Sequence, residues 1–201
     1  MDQVSKAVSV LKKGGVVVFP TDTCYGLAAD ATSLKAVKKL YRIKGRDFHK
    51  PVHVIFPDVT WLSRMVMLDT STLKLMNRFM PGPVTLVLPL KIEGKTWELL
   101  SAGTKTLGVR MPDNKLALDL VRRFGKPITA TSANVSGMPD TYAISEIQKQ
   151  FKEKEGKPDF YLDGGRLKKN KPSTVVLIAS NNAKILRQGP VSEKQILNAL
   201  R

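Results

Sequence analysis

The sequence is poor in the residues that build disulfides, metal sites and membrane spans. It contains one cysteine, Cys24, and two histidines, His49 and His53, so it cannot form an internal disulfide and lacks the ligand set of a zinc site. No apolar run approaches the roughly 20 residues that cross a bilayer, and residues 1–15 form a polar amphipathic stretch unlike a signal peptide. We therefore expect no structural metal, no membrane segment and a cytoplasmic location.

Several common catalytic motifs are also missing. The chain has no G-x-x-x-x-G-K-[ST] loop, no G-x-G-x-x-G, no G-x-S-x-G and no H-E-x-x-H, so a nucleotide, if one is bound, must be held in another way. A serine triad lacks a convincing histidine, because His53 falls within a predicted strand and His49 within a basic loop.

Acidic residues are scarce relative to basic ones. The chain has 33 Lys and Arg but only 17 Asp and Glu, which gives a formal net charge of +16. A polyanion is the natural partner of such a chain, and RNA or a nucleotide triphosphate would suit the basic clusters at residues 35–50 and 166–171. A solvated helix face and a basic loop are the simpler explanation for several of these lysines.

The apolar pattern alternates between helical and strand periodicity along all 201 residues. It predicts an α/β fold with a mixed sheet in a single domain over residues 1–201, large enough to bury roughly 70% of its unfolded surface. Helices are expected near residues 4–11, 34–41, 61–65, 73–79, 116–124, 144–151 and 196–200, with Asp113 capping the fifth. Strands are expected at 16–19, 52–56, 84–89, 107–110, 159–162, 174–178 and 184–186 and before the polar run at 129–137, and residues 91–106 are expected to be a loop.

The most informative stretch is the run of small polar side chains at residues 129–137, TATSANVSG. Hydroxyls and amides where a strand passes into a loop can meet a phosphate or a carboxylate without filling the pocket, although a polar turn is the simpler interpretation of this run alone. Similar polar sites occur at other strand edges, around Thr23, Arg46, Arg110 and Arg187. Together they suit a ligand that carries both phosphates and a carboxylate.

Seven segments then appear in a specific order: PTDTCYGL, KGRDFHKP, PGPVTLVL, GVRMP, TSANVSG, PSTVV and ILRQGPV. This series resembles the motifs of the YrdC-like family, the threonylcarbamoyl-adenylate synthases, from about residue 14 to residue 190. The resemblance implies a twisted mixed β-sheet flanked by helices with a large basic cleft. It also implies that L-threonine, bicarbonate or CO₂, and ATP are converted to threonylcarbamoyl-AMP and pyrophosphate, with Mg²⁺ bound through the phosphates. The implied partners are tRNA or double-stranded RNA and a downstream threonylcarbamoyl transferase.

The resemblance also implies roles for individual residues. Arg46 and Lys50 are the expected catalytic residues, and Thr23, Arg110 and Ser173 the expected threonine contacts. The expected ATP contacts are Lys44, Arg46, Lys50, Thr106, Ser132, Asn134, Asp140 and Arg187. If these assignments are right, Ser132 and Asn134 must face the same cavity as Arg46.

The chain departs from the pattern of its longer relatives in two respects. Ile55 stands where those relatives often have a histidine that contacts threonine, and His53 lies two residues earlier on the same face of the predicted strand. The chain also ends soon after ILRQGPV, as in the short form of the family. Two alternatives stay open: an RNA-binding protein of the same fold without adenylate synthesis, and a related adenylate enzyme such as the domain of a carbamoyl-phosphate-using maturation factor.

Overall fold

The computed structural model describes residues 2–179 and 182–201. Its helices are α1 Gln3–Lys12, α2 Leu34–Lys44, α3 Val59–Met65, α4 Thr70–Phe79, α5 Lys95–Ser101, α6 Lys115–Phe124, α7 Ile144–Phe151 and α8 Glu193–Leu200. Its strands are β1 Val17–Phe19, β2 Gly26–Ala28, β3 His53–Ile55, β4 Val84–Pro89, β5 Thr106–Arg110, β6 Ile128–Ser132, β7 Phe160–Tyr161, β8 Thr174–Ala179 and β9 Asn182–Arg187. The helix and strand alternation expected from the sequence is confirmed.

Within the described residues the strands form one mixed sheet in the order β7-β1-β2-β6-β3-β5-β4-β8-β9. The pairs β1–β7, β3–β5 and β4–β8 are parallel, and the other neighbours are antiparallel. Parallel pairs need crossover connections, which the helices between the strands provide. The predicted α/β class with a mixed sheet flanked by helices is therefore confirmed.

Side-chain caps mark the start of most helices, as the sequence suggested. Ser33 accepts a hydrogen bond from the backbone N–H of Ala36, and Ser192 forms a capping box with Gln195. The prediction that Asp113 caps α6 is wrong by one residue. Asn114 has the extended backbone that precedes this helix, and its Oδ1 accepts from the N–H of Ala117 at 3.1 Å.

The expected loop at residues 91–106 contains a helix, α5, that the sequence does not signal. The helix has seven residues and follows Gly94, which offers no side-chain cap. Tertiary contacts hold it in place, because the N–H of Val52 donates to the carbonyl of Leu100 at 2.9 Å and the Tyr41 hydroxyl donates to Leu99 at 3.3 Å. Such short helices depend on packing rather than on intrinsic propensity.

Two strands differ from the expected boundaries in a way that matters for the site. β2 was not predicted because it has three residues and follows a polar turn, and it is held between β1 and β6. β6 extends through Thr129–Ser132, so the first part of the polar run belongs to the sheet itself. Within β6, the Thr129 hydroxyl accepts a hydrogen bond from the backbone N–H of Ala29 at 2.8 Å, in the place of a backbone carbonyl.

The two faces of the sheet are covered unequally. The larger apolar core includes Val54 and Val109 and packs α2, α3, α4, α5, α7 and α8 against one face. The smaller core includes Ile55 and Ile128 and packs only α1 and α6 against the other face. Part of that second face is left open. No helix among the described residues is long and apolar enough to span a membrane.

Candidate functional site

The candidate site is a cavity of about 380 Å³ on the face of the sheet that carries α1 and α6. Side chains alternate between the faces of a strand, and Val54 and Val109 lie in the larger core, so their neighbours His53, Gly108 and Arg110 face the opposite side. The cavity is lined by Phe19, Thr21, Thr23, Cys24, Tyr25, Gly26, Arg46, Lys50, Pro51, Val52, His53, Arg110, Ala130, Thr131, Ser132, Asp140, Pro172, Ser173 and Arg187. These residues come from six of the seven sequence segments or lie next to them.

Arg110 is held at the cavity wall by contacts on all three of its guanidinium nitrogens. Its Nη1 donates to the Thr23 hydroxyl at 3.1 Å, its Nη2 donates to the Asp22 carboxylate, and its Nε donates weakly to the carbonyl of Gly82 at 3.4 Å. Burial lowers the pKa of Arg110, and the adjacent carboxylate of Asp22 opposes that change. The Arg110 side chain is 10% exposed. It is therefore oriented before any ligand arrives.

Ser173 and Arg187 form a second oriented pair. The Arg187 guanidinium donates from Nε to the carbonyl of Ser173 and from Nη2 to its hydroxyl, both at 3.0 Å. The Ser173 hydroxyl also lies 2.9 Å from the hydroxyl of Thr85 on β4. This arrangement links the segment that enters β8 to the end of β9, so that both side chains line the cavity.

The basic segment after α2 places Arg46 and Lys50 at the cavity. Gly45 ends the helix in the left-handed conformation with φ 61°, which turns the chain toward the sheet. Arg46 then holds its own loop by donating from Nη2 to the carbonyl of Pro51 at 2.8 Å and from Nε to that of Lys50 at 3.3 Å. The Lys50 ammonium makes no hydrogen bond or ion pair with the part of the chain described here, and it is available to a ligand.

Lys44 and Asn134 lie behind the cavity wall rather than in it. The buried Lys44 ammonium donates to the carbonyl of Ser132, to the carbonyl of Asn134 at 2.9 Å and to Asn134 Oδ1 at 2.6 Å. The Ser132 hydroxyl donates to the same Oδ1 at 2.7 Å, and Asn134 Nδ2 donates to the carbonyl of Met138. The expectation that Ser132 and Asn134 both face the cavity of Arg46 is therefore confirmed for Ser132 and wrong for Asn134. The Asn134 side chain is turned toward Lys44 and toward its own loop.

The remaining predicted residues lie in different places. Asp140 lines the cavity, and Thr106 does not. Thr106 lies two residues before Gly108 on the same face of β5, roughly 7 Å along the strand, where its hydroxyl is 2.9 Å from that of Thr104. Ile55 is fully buried in the smaller core, and His53 lines the cavity.

The cavity is strongly cationic. Arg46, Lys50, Arg110 and Arg187 line it, and among the described residues Asp140 is the one carboxylate that does. Partial desolvation lowers the pKa of Arg46 and of Arg187, although both side chains keep contact with solvent. Such a site binds anions and offers several donors to phosphate or carboxylate oxygens.

Sequence reasoning missed the residues that orient the binding groups. Asp22, which holds Arg110, and Thr85, which holds Ser173, were present in the quoted segments but were given no role. Thr85 lies within an otherwise apolar strand segment, and such a lone polar residue could have indicated a role in the site. Nothing in the sequence shows that Asp22 lies beside Arg110, because the two are 88 residues apart.

Comparisons with known proteins give the same picture. A family model for the Sua5, YciO and YrdC proteins, described as "Telomere recombination", matches residues 9–189. The chain is 37% identical over 195 residues to the threonylcarbamoyl-AMP synthase of Bacillus subtilis, covering 96% of this chain and 55% of that protein. It is 32% identical over 199 residues to the putative threonylcarbamoyl-AMP synthase of Methanocaldococcus jannaschii, covering 94% of this chain and 89% of that one. The chain thus spans about half the length of the Bacillus relative.

Among solved structures, the crystal structure of P. abyssi Sua5 complexed with L-threonine matches with a TM-score of 0.89 and 31% identity, over 98% of this chain and 56% of that one. E. coli YciO matches with a TM-score of 0.82 and 28% identity, over 96% of this chain and 92% of that one. The family model spans the segments that build the cavity, and the similarity in sequence and in fold covers nearly the whole chain. The chain belongs to the Sua5/YciO/YrdC family.

Proposed function

We propose that this protein is an L-threonylcarbamoyladenylate synthase, a nucleotidyltransferase that makes threonylcarbamoyl-AMP and pyrophosphate from L-threonine, bicarbonate or CO₂, and ATP. The observation that carries the proposal is the cavity, in which an oriented arginine with neighbouring hydroxyls and a separate set of cations share about 380 Å³. That volume lies within the range of small-molecule sites. The names of the relatives and the threonine complex of P. abyssi Sua5 support it.

Arg110, Thr23 and Ser173 fit the amino-acid substrate. An arginine has five N–H donors, and three of those on Arg110 are engaged within the protein. The other two, one on each terminal nitrogen, can meet a carboxylate in bidentate fashion. The hydroxyls of Thr23 and Ser173 would then contact the polar groups of threonine.

Arg46, Lys50 and Arg187 fit the phosphates of ATP, with Ser132 as a neutral donor in the same cavity. Lys44 and Asn134 support this set from behind by fixing the loop that carries Ser132. Thr106 and Asp140 remain proposed ATP contacts.

The chemistry needs alignment and charge stabilisation more than a strong nucleophile from the protein. A carbamate of threonine is already an anionic oxygen nucleophile that can attack the α-phosphorus of ATP and release pyrophosphate. Cations around the phosphates stabilise the charge that develops in that step, and a shaped cavity aligns the reacting atoms. Arg46 and Lys50 are the side chains to which we assign this stabilisation.

The described residues of the cavity offer too few protein ligands to bind Mg²⁺ by themselves, so the ion would bind through the phosphates of ATP. The described residues contain no group of three His, Cys, Asp or Glu side chains that could hold a metal, and Asp140 is the carboxylate that lies at the cavity. Mg²⁺ accepts one or two carboxylates together with substrate phosphates. Bound in this way, it would supply further positive charge to the phosphate oxygens.

The test is a pyrophosphate-release assay with omission of one substrate at a time. Release should require ATP, L-threonine and bicarbonate together, and mass spectrometry should detect threonylcarbamoyl-AMP. Arg46→Ala and Lys50→Ala should each reduce turnover sharply in a folded protein, whereas Arg64→Ala, which removes an exposed arginine of α3, should not. Release that is independent of threonine, or undiminished in both cavity variants, would contradict the proposal.

The partners follow from the charge outside the cavity. Lys168, Lys169 and Lys171 are exposed on the segment that leads into Pro172 and Ser173 of the cavity wall, and we propose that tRNA or double-stranded RNA binds there. A threonylcarbamoyl transferase would consume the adenylate to modify tRNA in the cytoplasm. Binding of RNA should weaken steeply with salt; RNA affinity without any pyrophosphate release would favour the pure RNA-binding alternative.

A further inference from the structure

His53 lines the cavity and has no part in the function proposed above. It begins β3, and its ring lies over Gly108 of the adjacent strand β5. A Cβ at position 108 would lie 2.4 Å from His53 Cδ2, so the glycine makes room for the imidazole. The fold thus provides a fitted place for this ring between Ala130 on one side and Gly108 on the other.

Both ring nitrogens of His53 lack a protein partner. No described residue donates to or accepts from either nitrogen, and the partly buried ring lines the cavity. The one buried side-chain polar atom without a partner among the described residues is Asp22 Oδ2, so the His53 nitrogens are open to the cavity and can contact a ligand there. The other histidine, His49, differs in each respect, since it is 94% exposed and its Nδ1 lies 3.0 Å from Asp47.

The surroundings keep the imidazole of His53 neutral. Burial and the positive charges of Arg187, Arg110 and Arg46 lower its pKa to about 3. The other titratable residues that line the cavity are Lys50, Asp140, Cys24 and Tyr25. Burial raises the pKa of the Cys24 thiol to about 11 and that of the Tyr25 hydroxyl to about 12. At neutral pH His53 therefore presents an unprotonated nitrogen in a cavity whose other charged groups are mostly proton donors.

The proposed reaction has a proton to dispose of before phosphoryl chemistry can begin. An amino acid with a protonated amine and bicarbonate give a carbamate, water and one proton. The C–N bond forms from the lone pair of the amine, so the amine must lose a proton to a nearby acceptor. Arginine side chains cannot take it, because they stay protonated. Among the described residues, His53 and the Asp140 carboxylate are the acceptors that line the cavity.

We propose that His53 is this proton acceptor: its free imidazole nitrogen receives the proton that the substrate amine loses on becoming a carbamate. This inference rests on the function proposed above. Burial is the largest cause of the lowered pKa, and the three arginines add to it. The phosphates and the substrate carboxylate offset the arginine charges, which raises the pKa of the imidazole when the site is filled. The imidazolium then releases the proton to solvent when the products leave.

The experiment compares His53→Gln with the matched control His49→Gln. We expect the first variant to lower the rate of pyrophosphate release at pH 7 at least tenfold, because general-base catalysis contributes about 10²- to 10⁴-fold. The KM for ATP should stay within about twofold of wild type, and the loss should shrink as the pH rises and free amine becomes abundant. The control should behave as wild type. A His53→Gln pH profile that parallels wild type would overturn the proposal.

A second variant and a spectroscopic measurement separate this inference from simple misfolding and from failure of the proposed function. His53→Ala leaves a space the size of the ring, and added imidazole should restore part of its activity; absence of rescue in a folded variant counts against the proposal. In the wild type, the NMR titration of the His53 ring should move to higher pH when L-threonine and a non-hydrolysable ATP analogue bind. If the wild type releases no pyrophosphate, the proposed function is wrong. If the titration midpoint of the His53 ring also stays unchanged when the ligands are added, His53 does not contact them.

Discussion

The contacts of Lys44 allow a quantitative test of how the wall of the cavity is held. Lys44→Met replaces the side chain by an apolar one that is a single heavy atom shorter and lacks the ammonium. Two backbone carbonyls and the Oδ1 of Asn134 then lose a charged donor in a buried region. The carbonyl of Ser132 is one of them, so the change acts directly behind a residue of the cavity.

The expected loss of stability follows from these three acceptors. Each buried acceptor that loses its donor costs roughly 1–3 kcal/mol. The methionine recovers part of this by packing an apolar group where an ammonium had to be desolvated, so we expect a net loss of about 3 kcal/mol in the free energy of unfolding. For a chain of this size, 1 kcal/mol lowers Tm by about 2–4 °C, and the predicted decrease is therefore roughly 6–12 °C.

The pH dependence makes the test more specific. Burial, followed by the charge of Arg46, lowers the pKa of Lys44 from 10.5 to about 7. The unfolded chain therefore binds more protons than the folded one between these values, and the stability of the wild type gains from this group as the pH rises from about 7 to about 10. Lys44→Met lacks that contribution, so the difference in stability between the two proteins should widen by a few kcal/mol over this range.

Thermal and urea unfolding at pH 7 and pH 10 provide the measurement. Lys35→Met is the control, because Lys35 is an exposed lysine on the same helix and such substitutions usually change stability by less than about 0.5 kcal/mol. A Tm for Lys44→Met within about 2 °C of wild type, or a difference that narrows with rising pH, would refute the reasoning.

Three further predictions concern the cavity. Arg110→Lys keeps the positive charge but cannot contact Thr23 and Asp22 with two separate nitrogens. Steady-state kinetics should therefore show a KM for threonine that is raised at least tenfold and an unchanged KM for ATP. An unchanged KM for threonine would count against the assignment of Arg110 to threonine binding. Gly108→Ala must displace the His53 ring, because Cδ2 of the ring lies 2.4 Å from the added Cβ. Turnover should therefore fall, while calorimetry should still detect binding of ATP. A normal turnover rate would show that the position of the ring does not matter for the reaction. Burial and the charge of Asp140 raise the pKa of the Cys24 thiol to about 11, so iodoacetamide at pH 8 should modify the folded protein far more slowly than the protein in urea, and equal rates would contradict this.

The fold could be predicted where the sequence carries its own periodicity. α2 and α6 combine a regular apolar stripe with a capping residue and a glycine at the end. The expected bounds of α6 are right to within one residue, and those of α2 have the right start and an end three residues too early. β2 and α5 could not be found in this way, because each is short and depends on partners distant in the sequence. Their stability comes from the sheet and from Tyr41, and neither contact is visible in a local pattern.

The site could be predicted as a set of residues but not as an arrangement. The segments pointed to Ser132 and Asn134 together, whereas the structure turns Ser132 to the cavity and Asn134 to Lys44. Two residues along a chain that is leaving a strand can point in different directions, and the direction is set by what packs behind them. A buried ammonium is such a determinant, and a sequence does not show whether a lysine is buried.

The way in which the basic groups are held explains how a cavity can be both rigid and strongly cationic. Arg46 and Arg187 are oriented by backbone carbonyls, and so is Lys44 behind the wall. A carbonyl fixes the position of a cation without cancelling its charge, whereas a carboxylate partner would do both. Arg110 is the exception, because it has the carboxylate of Asp22 as its partner. It is the most deeply buried arginine at the cavity and needs a counter-charge. The positive potential is thereby kept for anionic substrates, and each donor is already in place when they bind.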